Sequence, residues 1–503
     1  MAKYKRYDYS QKVFIPVFLE DQLMPGTLEF VIHTLIESRI DMSVFDDRYN
    51  NEETGCYAYD PKILLKIVLL AYSRGITSSR PIERACKENV AFMAMACGGQ
   101  PDHSTIAAFV SSMEGEIPSL FTDVLLVCEE EDLLGGTFFA LDGCKLPSNA
   151  SKQWSGKISE IQKKKDRFER KVRQLLKQQI EADKTGEANI KASSERFNRQ
   201  KQIERLQKKA DRIDKWLKEN DAKIGRQGRE IKSNITDNES GTMVSTHGTI
   251  QGYNSQVLVD DKHQVIVQAE VFGEGQDHHH VPPLIEGAKA NMAAIGHDES
   301  YFEGSILTAD ALYHGPNNLK KCETEGIDAY IPDKDFRKRA PGSKIKRRSN
   351  NWDIKRFRLK DFSYRKDRDE YICPQGKVLR FKTKATYDGI VYRQYLTDIG
   401  DCTNCELKAR CIRVKKGKRK YLNVPVSSVP GNLTKSMADK IDSKRGRKIY
   451  NRRMAIVEPV FGNIRFLKRL DRFTLRGKIK VNIQWLLYCL VHNIEKITNY
   501  GFA

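Results

Sequence analysis

The stretch GGTFFALDGCKL, residues 135–146, is where the sequence changes its period. Before it, apolar residues return every three or four positions, as on one face of a helix. Here they form a β-rich block, opened by two glycines and closed by Asp142 and Gly143, which reads as a strand. Two further strands follow in GYNSQVLVDDKHQVIVQAEVF, residues 252–272. Residues 253–259 and 264–271 flank the polar DDKH, a hairpin signal. A helix is expected around 281–294, beside the Pro282-Pro283 pair. SILTADALYHG, residues 305–315, then gives another buried strand, ended by Asp310.

On the N-terminal side, residues 1 to about 125 read as helices. In YDPKILLKIVLLAYSRG, Asp60 is a plausible N-cap, Pro61 takes the first helical position and Gly75 lies past the end. SSRPIERACKENVAFMAMACGG gives two short helices, and PDHSTIAAFVSSM another, capped by Asp102 or Ser104. Short helices with tight turns suit a helix-turn-helix DNA-binding unit, and other small helical bundles share the pattern.

Two insertions interrupt the strand series. Residues 155–232 carry apolar positions at helical spacing in two arms: Ile158, Ile161, Phe168, Val172 and Leu175, then Ile203, Leu206, Ala210, Ile213 and Leu217. With Thr185-Gly186 between the arms, this is a basic helical hairpin. Such a hairpin is either a DNA-clamping or dimer-contacting arm, or simply a solvated charged element. Residues 331–445 are short, strand-like and rich in turns, a small β-rich insertion. Residues 446–503 return to helix, and VNIQWLLYCLVHNIEKI is apolar enough to be a core helix. The expected division is therefore a helical DNA-binding region at 1–125, a mixed α/β core at 130–154 and 233–330, insertions at 155–232 and 331–445, and C-terminal helices at 446–503 completing the core.

Composition narrows the class of partner. The 503 residues carry 86 Lys and Arg against 66 acids, a net charge of +20 and a pI near 9.3. At this size such an excess points to a polyanion, most often nucleic acid. No run of 18 apolar residues exists, so no membrane span is expected, and the opening MAKYKRYDYSQKVF lacks the apolar centre of a signal peptide. The reading is cytoplasmic. Eleven cysteines in so long a chain do not make a disulfide scaffold, and in a reducing compartment they are thiols or metal ligands.

Three acids stand out by position. Asp142 and Asp310 each end a strand, and Glu458 sits in a late basic helix, YNRRMAIVEPVFGNIRFLKRL, residues 450–470. Sites are commonly built where strand ends expose side chains along one edge. Three carboxylates brought together repel one another and take up protons. Two divalent cations remove that difficulty, and hard oxygen ligands suit Mg²⁺ or Mn²⁺. Such a pair can activate water and stabilise a leaving 3′ oxygen, which is phosphodiester chemistry.

In this order and setting the residues resemble the DDE transposases of bacterial insertion sequences, which use a ribonuclease H-like fold. The similar segments are ALDGCKLPSNASK around Asp142, HGTIQGYNSQVLVD before the hairpin turn, LTADALYHG around Asp310, and the helix around Glu458. That helix resembles the family's Tyr, Arg, Glu, Lys signature. Tyr450 and Arg453 have the expected separation. Four residues instead of the usual three separate Arg453 from Glu458, and Arg465 stands where the family more often has Lys. The resemblance implies that Asp142, Asp310 and Glu458 hold two Mg²⁺ (or Mn²⁺) ions, and that Tyr450, Arg453, Arg465 and Lys468 bind DNA. Seven residues make nearly two turns, which puts Arg465 on the face of Glu458, with Pro459 able to kink the helix between them. The implied reaction is cleavage at the ends of the element and strand transfer into target DNA, with no covalent enzyme intermediate. The partners are terminal inverted repeats and target DNA, bound by a homodimer. A stand-alone metal-dependent nuclease and a non-catalytic regulator derived from a transposase are the alternatives.

A second constellation is built of cysteine. Cys402, Cys405 and Cys411 lie in DCTNCELKARC, and Cys373 in YICPQGKVL. A C-x2-C pair with two further cysteines suits a structural Zn²⁺ held by four thiolates. The adjacent His278, His279 and His280 precede a helix and are read as non-ligands. Trp352, among bases in the β-rich insertion, is read as a packing residue ahead of a base-stacking one.

Overall fold

The computed structural model describes residues 18–48, 57–184, 190–225, 228–245, 248–340, 356–387, 390–412, 417–425 and 433–501. Trp352 and the Thr185-Gly186 break lie outside these residues. The chain divides into two compact units, Met1–Phe302 with Met454–Ala503, and Glu303–Arg453.

The first unit opens with helices α1 (Leu28–Ser38), α2 (Pro61–Ser73), α3 (Ser79–Glu88), α4 (Val90–Met95), α5 (His103–Ser111) and α6 (Ile117–Glu130). The ends of α2 follow local chemistry: Asp60 Oδ1 accepts the Lys62 amide at 2.7 Å, Pro61 leads the helix, and Gly75 leaves it at φ +72°. Asp102, not Ser104, caps α5, accepting the amides of Ser104 and Thr105.

Strand β1 (Phe138–Pro147) comes next, then the short pair β2 (Ser155–Gly156) and β3 (Ser233–Asn234). Between β2 and β3 run the packed arms α7 (Ile158–Lys184) and α8 (Ile190–Glu219). Ile161, Ile213, Trp216 and Ile235 form the apolar root of this hairpin. The strands β4 (Gly241–Ser245), β5 (Gly248–Asp260) and β6 (Ile266–Phe272) follow. Strand β5 is the centre of an antiparallel set, pairing with β1, β4 and β6. Helix α9 (Val281–Ala294) covers β6.

The last helix, α14 (Lys478–Tyr500), packs on β6 and also on α1, α2 and α6. It therefore ties the N-terminal helices to the strands in one core, with Tyr72 of α2 stacked on Tyr488 at 4.7 Å. It also satisfies the backbone of β6 beyond its pairing with β5. Asn493 accepts the Ile266 amide and donates to the Ile266 carbonyl, both at 2.9 Å, and Asn482 accepts the Val271 amide at 3.0 Å.

The second unit begins with the parallel strands β7 (Ile306–Ala309) and β8 (Asp328–Tyr330), joined through α10 (Pro316–Thr324). An antiparallel sheet follows, made of β9 (Ser363–Arg365), β10 (Glu370–Ile372), β11 (Val378–Tyr387), β12 (Ile390–Leu396) and β13 (Tyr421–Pro425), closed over Phe362, Leu379, Tyr395 and Leu422. The short α11 (Lys408–Cys411) and α12 (Leu433–Asp442) complete it. The division between units falls within α13 (Lys444–Phe461). Among the described residues, no helix is long and apolar enough to cross a membrane.

One expectation about β1 needs correction. The strand does not end at Asp142 and Gly143 but pairs with β5 as far as Pro147, opposite Gly252. Gly143 is a clearance and not a terminator. A Cβ there would stand 2.0 Å from Nε2 of Gln256. Asp142 is thus a mid-strand residue opposite Val257.

Candidate active site

In the first unit the candidate acids are Asp142 and Glu458. Asp142 is half-buried, and its Oδ1 accepts the amide of Gly143 at 2.8 Å. Behind Gly143 lies a buried polar network that sequence reading missed. Gln256 Nε2 donates to Asn254 Oδ1 at 2.9 Å and to Asp277 Oδ1 at 3.0 Å, and Asn254 donates to the same Asp277 oxygen at 2.5 Å. The polar run NSQ, residues 254–256 in the middle of β5, is its only sequence signal. Within the adjacent histidine run, His280 is buried and stacked on Phe272 at 3.9 Å, while His278 and His279 are exposed.

Glu458 is exposed on α13 and makes no hydrogen bond or ion pair among the described residues. One residue later comes Pro459, within the helix. Proline has no N–H to give the carbonyl four residues before it. That carbonyl, of Ala455, instead accepts Nε2 of Gln264 at 3.1 Å. Gln264 sits in the β5–β6 turn at φ +62°. The helix then opens into a π-helical turn, Gly462–Leu467, in which the Lys468 amide reaches the Asn463 carbonyl five residues back, at 3.0 Å.

The wider turn changes the expected phasing of Arg465. Seven residues from Glu458 no longer make two α-helical turns, so the shared-face expectation does not carry over. Its charge is still felt at β1. Burial pushes the Cys144 thiol up to about 12, the Arg465 guanidinium opposes that rise, and the Asp142 carboxylate adds to it. Arg465 and Asp142 thus both lie within electrostatic reach of one thiol on β1. The Nε of Arg465 is buried and has no hydrogen-bond partner among the described residues.

Lys468, expected as a DNA contact, is instead 1% exposed. Its ammonium pairs with Glu495 and donates to Asn463 Oδ1. Asn463 Nδ2 in turn donates to Glu495 at 2.7 Å and to Nδ1 of His492 at 2.9 Å, and His492 Nε2 donates to the Gln264 carbonyl at 2.9 Å. Lys468 belongs to a buried lattice that holds the π turn to α14. A basic run does not reveal which of its cations turns inward.

In the second unit, Asp310 follows the last residue of β7, as expected, and its carboxylate accepts the Leu312 amide at 2.6 Å. Tyr450 packs edge-on against Phe336 at 5.2 Å, and Arg453, 8% exposed, lies 5.9 Å from the Tyr450 ring centre. Burial raises the Tyr450 phenol, Arg453 opposes this, and the Asp310 carboxylate adds to it. Tyr450, Arg453 and Asp310 therefore form one neighbourhood.

In the second unit, Cys373, Cys402, Cys405 and Cys411 line a single cavity of about 20 Å³, together with Lys377 and Lys420. Burial raises the Cys411 thiol, Lys420 opposes the rise, and the sulfurs of Cys402, Cys373 and Cys405 add to it. Cys373 opens a tight turn through Gly376, at φ +79°, in which the Lys377 amide donates to the Cys373 sulfur at 3.3 Å. Among the described residues, no three histidine, cysteine or acidic side chains form a group that could hold a metal ion as they stand.

Comparison with known proteins gives two family matches. Residues 372–498 match a family described as transposase DDE domain, and residues 17–112 match one described as transposase domain (DUF772). No curated protein matches the chain. The mixed α/β architecture with its N-terminal helical region is consistent with a ribonuclease H-like transposase. Both matches, each over part of the chain, support an insertion-sequence DDE transposase.

Proposed function

We propose that this transposase cleaves DNA at the ends of its element and transfers the freed strand into target DNA. Asp142, Asp310 and Glu458 would hold two Mg²⁺ or Mn²⁺ ions. The donor chemistry fits: all three are carboxylates, none is fully buried, and Glu458 and Asp310 are committed to no cation among the described residues. When bound, such ions supply activation of water and stabilisation of a leaving oxygen.

The observation that carries this reading is the match of residues 372–498 to a transposase DDE domain, and the charges of Asp142 and Arg465, which both act on the Cys144 thiol, support it. A buried guanidinium N–H without a partner costs about 1–3 kcal/mol in the free protein, which a phosphate oxygen can recover. Arg465 would receive a non-bridging phosphate oxygen close to the carboxylate. Tyr450 keeps its proton, since burial raises its phenol, so it is a donor to phosphate and not a nucleophile. Arg453 would act with it. In the first step a water oxygen bonds to phosphorus, the P–O3′ bond breaks, and the 3′ oxygen leaves as a hydroxyl. In the second that hydroxyl attacks a target phosphate, and the target's own 3′ oxygen leaves. Lys468 has no place in this scheme.

The four-cysteine cavity supports a structural zinc in the same reading. The sulfurs come from the β10–β11 turn, the turn before α11, and α11 itself. The amide donated to Cys373 and the ammonium groups of Lys377 and Lys420 suit a cluster of thiolates. The ion would join these elements beneath the antiparallel sheet.

Strand transfer with pre-cut ends tests the reaction. Joined product in Mg²⁺ supports the reading. Cleavage without joining would leave a plain nuclease, and DNA binding without either would leave a regulator. On DNA the protein is expected to act as a homodimer.

A further inference from the structure

The end of β1 leads into a cleft of about 620 Å³ that no part of the reaction scheme uses. Pro147 of β1 lies on its wall, with Thr249–Gln251 of β5, and four bases face it: Lys152, Arg212, Arg472 and Arg476. Among the described residues, no acidic side chain lines it. Three of the bases are braced by backbone carbonyls. Arg472 Nε donates to Ser148 at 2.9 Å, Arg476 Nε to Asn149 at 2.6 Å, and Lys152 Nζ to Thr249 at 3.1 Å. The fourth, Arg212, lies 5.5 Å from the ring centre of Trp154. Among the described residues none of the four pairs with a carboxylate.

Trp154 and Arg212 also wall a second hollow, of about 490 Å³, that runs along α8. It adds Lys201, Arg205, Lys208 and Lys209 against a single acid, Glu204. Lys201, Arg205, Lys208 and Arg212 recur at spacings of four, three and four, so they share one helix face. At 1.5 Å per residue that face is about 17 Å long, roughly half a turn of duplex DNA. Fixed, unneutralised cations in a roomy cleft are a poor design for a stable monomer, because they repel one another. They suit a ligand with regularly spaced negative charge.

We infer that this cleft and the adjoining α8 face bind the backbone of duplex DNA beside the cleavage position. This rests on the DNA reading above. Five residues of strand separate Asp142 from Pro147, about 17 Å, so a duplex engaged at Asp142 would have its flank over the cleft. Trp154 is a brace for Arg212 here, since its ring already meets Arg212, Lys164 and Phe168. The contacts are to phosphate, so they add affinity without reading sequence.

The test is the salt dependence of binding of the full chain to a fluorescein-labelled duplex of random sequence. Each lost phosphate contact lowers the slope of log K against log[salt] by about 0.9. Arg212→Gln with Arg472→Gln and Arg476→Gln should lower it by about 2–3 and weaken binding roughly 100-fold. Arg205→Gln with Lys208→Gln alters only exposed positions on α8, keeps the fold, and should lower the slope by about 2. Asp142→Asn should leave the slope unchanged. If the wild type binds but both the cleft triple variant and the α8 pair keep its slope, the cleft proposal is overturned and the DNA reading stands. If the wild type does not bind duplex DNA, both fail.

Discussion

Gln264, in the turn between β5 and β6, donates its side-chain amide to the carbonyl of Ala455, the group that Pro459 leaves without a helical partner. The same residue accepts Nε2–H of His492 on its carbonyl and the Lys496 ammonium on its Oε1. One turn residue thus links a β-hairpin to the helix bearing Glu458 and to the last helix of the core. Gln264→Ala should cost about 1 kcal/mol, since the bond is exposed at one side. Pro459→Ala in that background should recover much of it by restoring the missing N–H. Urea midpoints of the four proteins check this, and additive single effects would contradict it.

Arg465 should matter for turnover more than for stability. Arg465→Ala should lower end cleavage roughly 100-fold, the scale of losing one preorganised donor to a developing charge. Arg465→Lys should restore part of the rate but not the bidentate geometry. Single-turnover cleavage under saturating DNA reads this. Equal rates for the alanine variant and wild type would remove Arg465 from the phosphate-binding role.

His492 sets an acid limit. Burial holds its imidazole down at about 3, against an ordinary value near 6.5. Below pH 6.5 the unfolded chain takes up a proton that the native state refuses, so stability is lost as pH falls from about 6.5 toward 3. At pH 5 the loss should be about 2 kcal/mol relative to pH 7. His492→Gln should remove that part of the pH dependence while lowering stability at pH 7. Denaturation of both proteins at the two pH values checks the sign, and a parallel pH response would contradict it.

The cysteine cavity should hold one zinc per chain. Metal analysis of the purified protein and X-ray absorption should give four sulfur neighbours at about 2.3 Å. Cys402→Ser and Cys405→Ser should each release the ion and destabilise the β-rich sheet. Zinc-free protein of full stability, or oxygen and nitrogen ligation, would exclude the site.

Much of this was legible in the sequence because it is local. The cap and proline of α2, the hairpin around DDKH, the helix at 281–294 and the placing of Asp310 after its strand all follow from short-range patterns. What escaped depends on partners far along the chain. Gly143 looks like a strand end until Gln256 is seen against it. The π turn after Pro459 leaves no periodic trace, so by sequence the spacing of Glu458 and Arg465 looks α-helical. Lys468 differs from its exposed basic neighbours only through Glu495 and Asn463.

The central claim, that Asp142, Asp310 and Glu458 serve one reaction, is tested most directly by strand transfer with pre-cut ends in Mg²⁺. Asp142→Asn, Asp310→Asn and Glu458→Gln should each abolish joining, by at least about 1,000-fold, while duplex binding stays near wild type. Joining at wild-type rate by any one of the three would contradict the account.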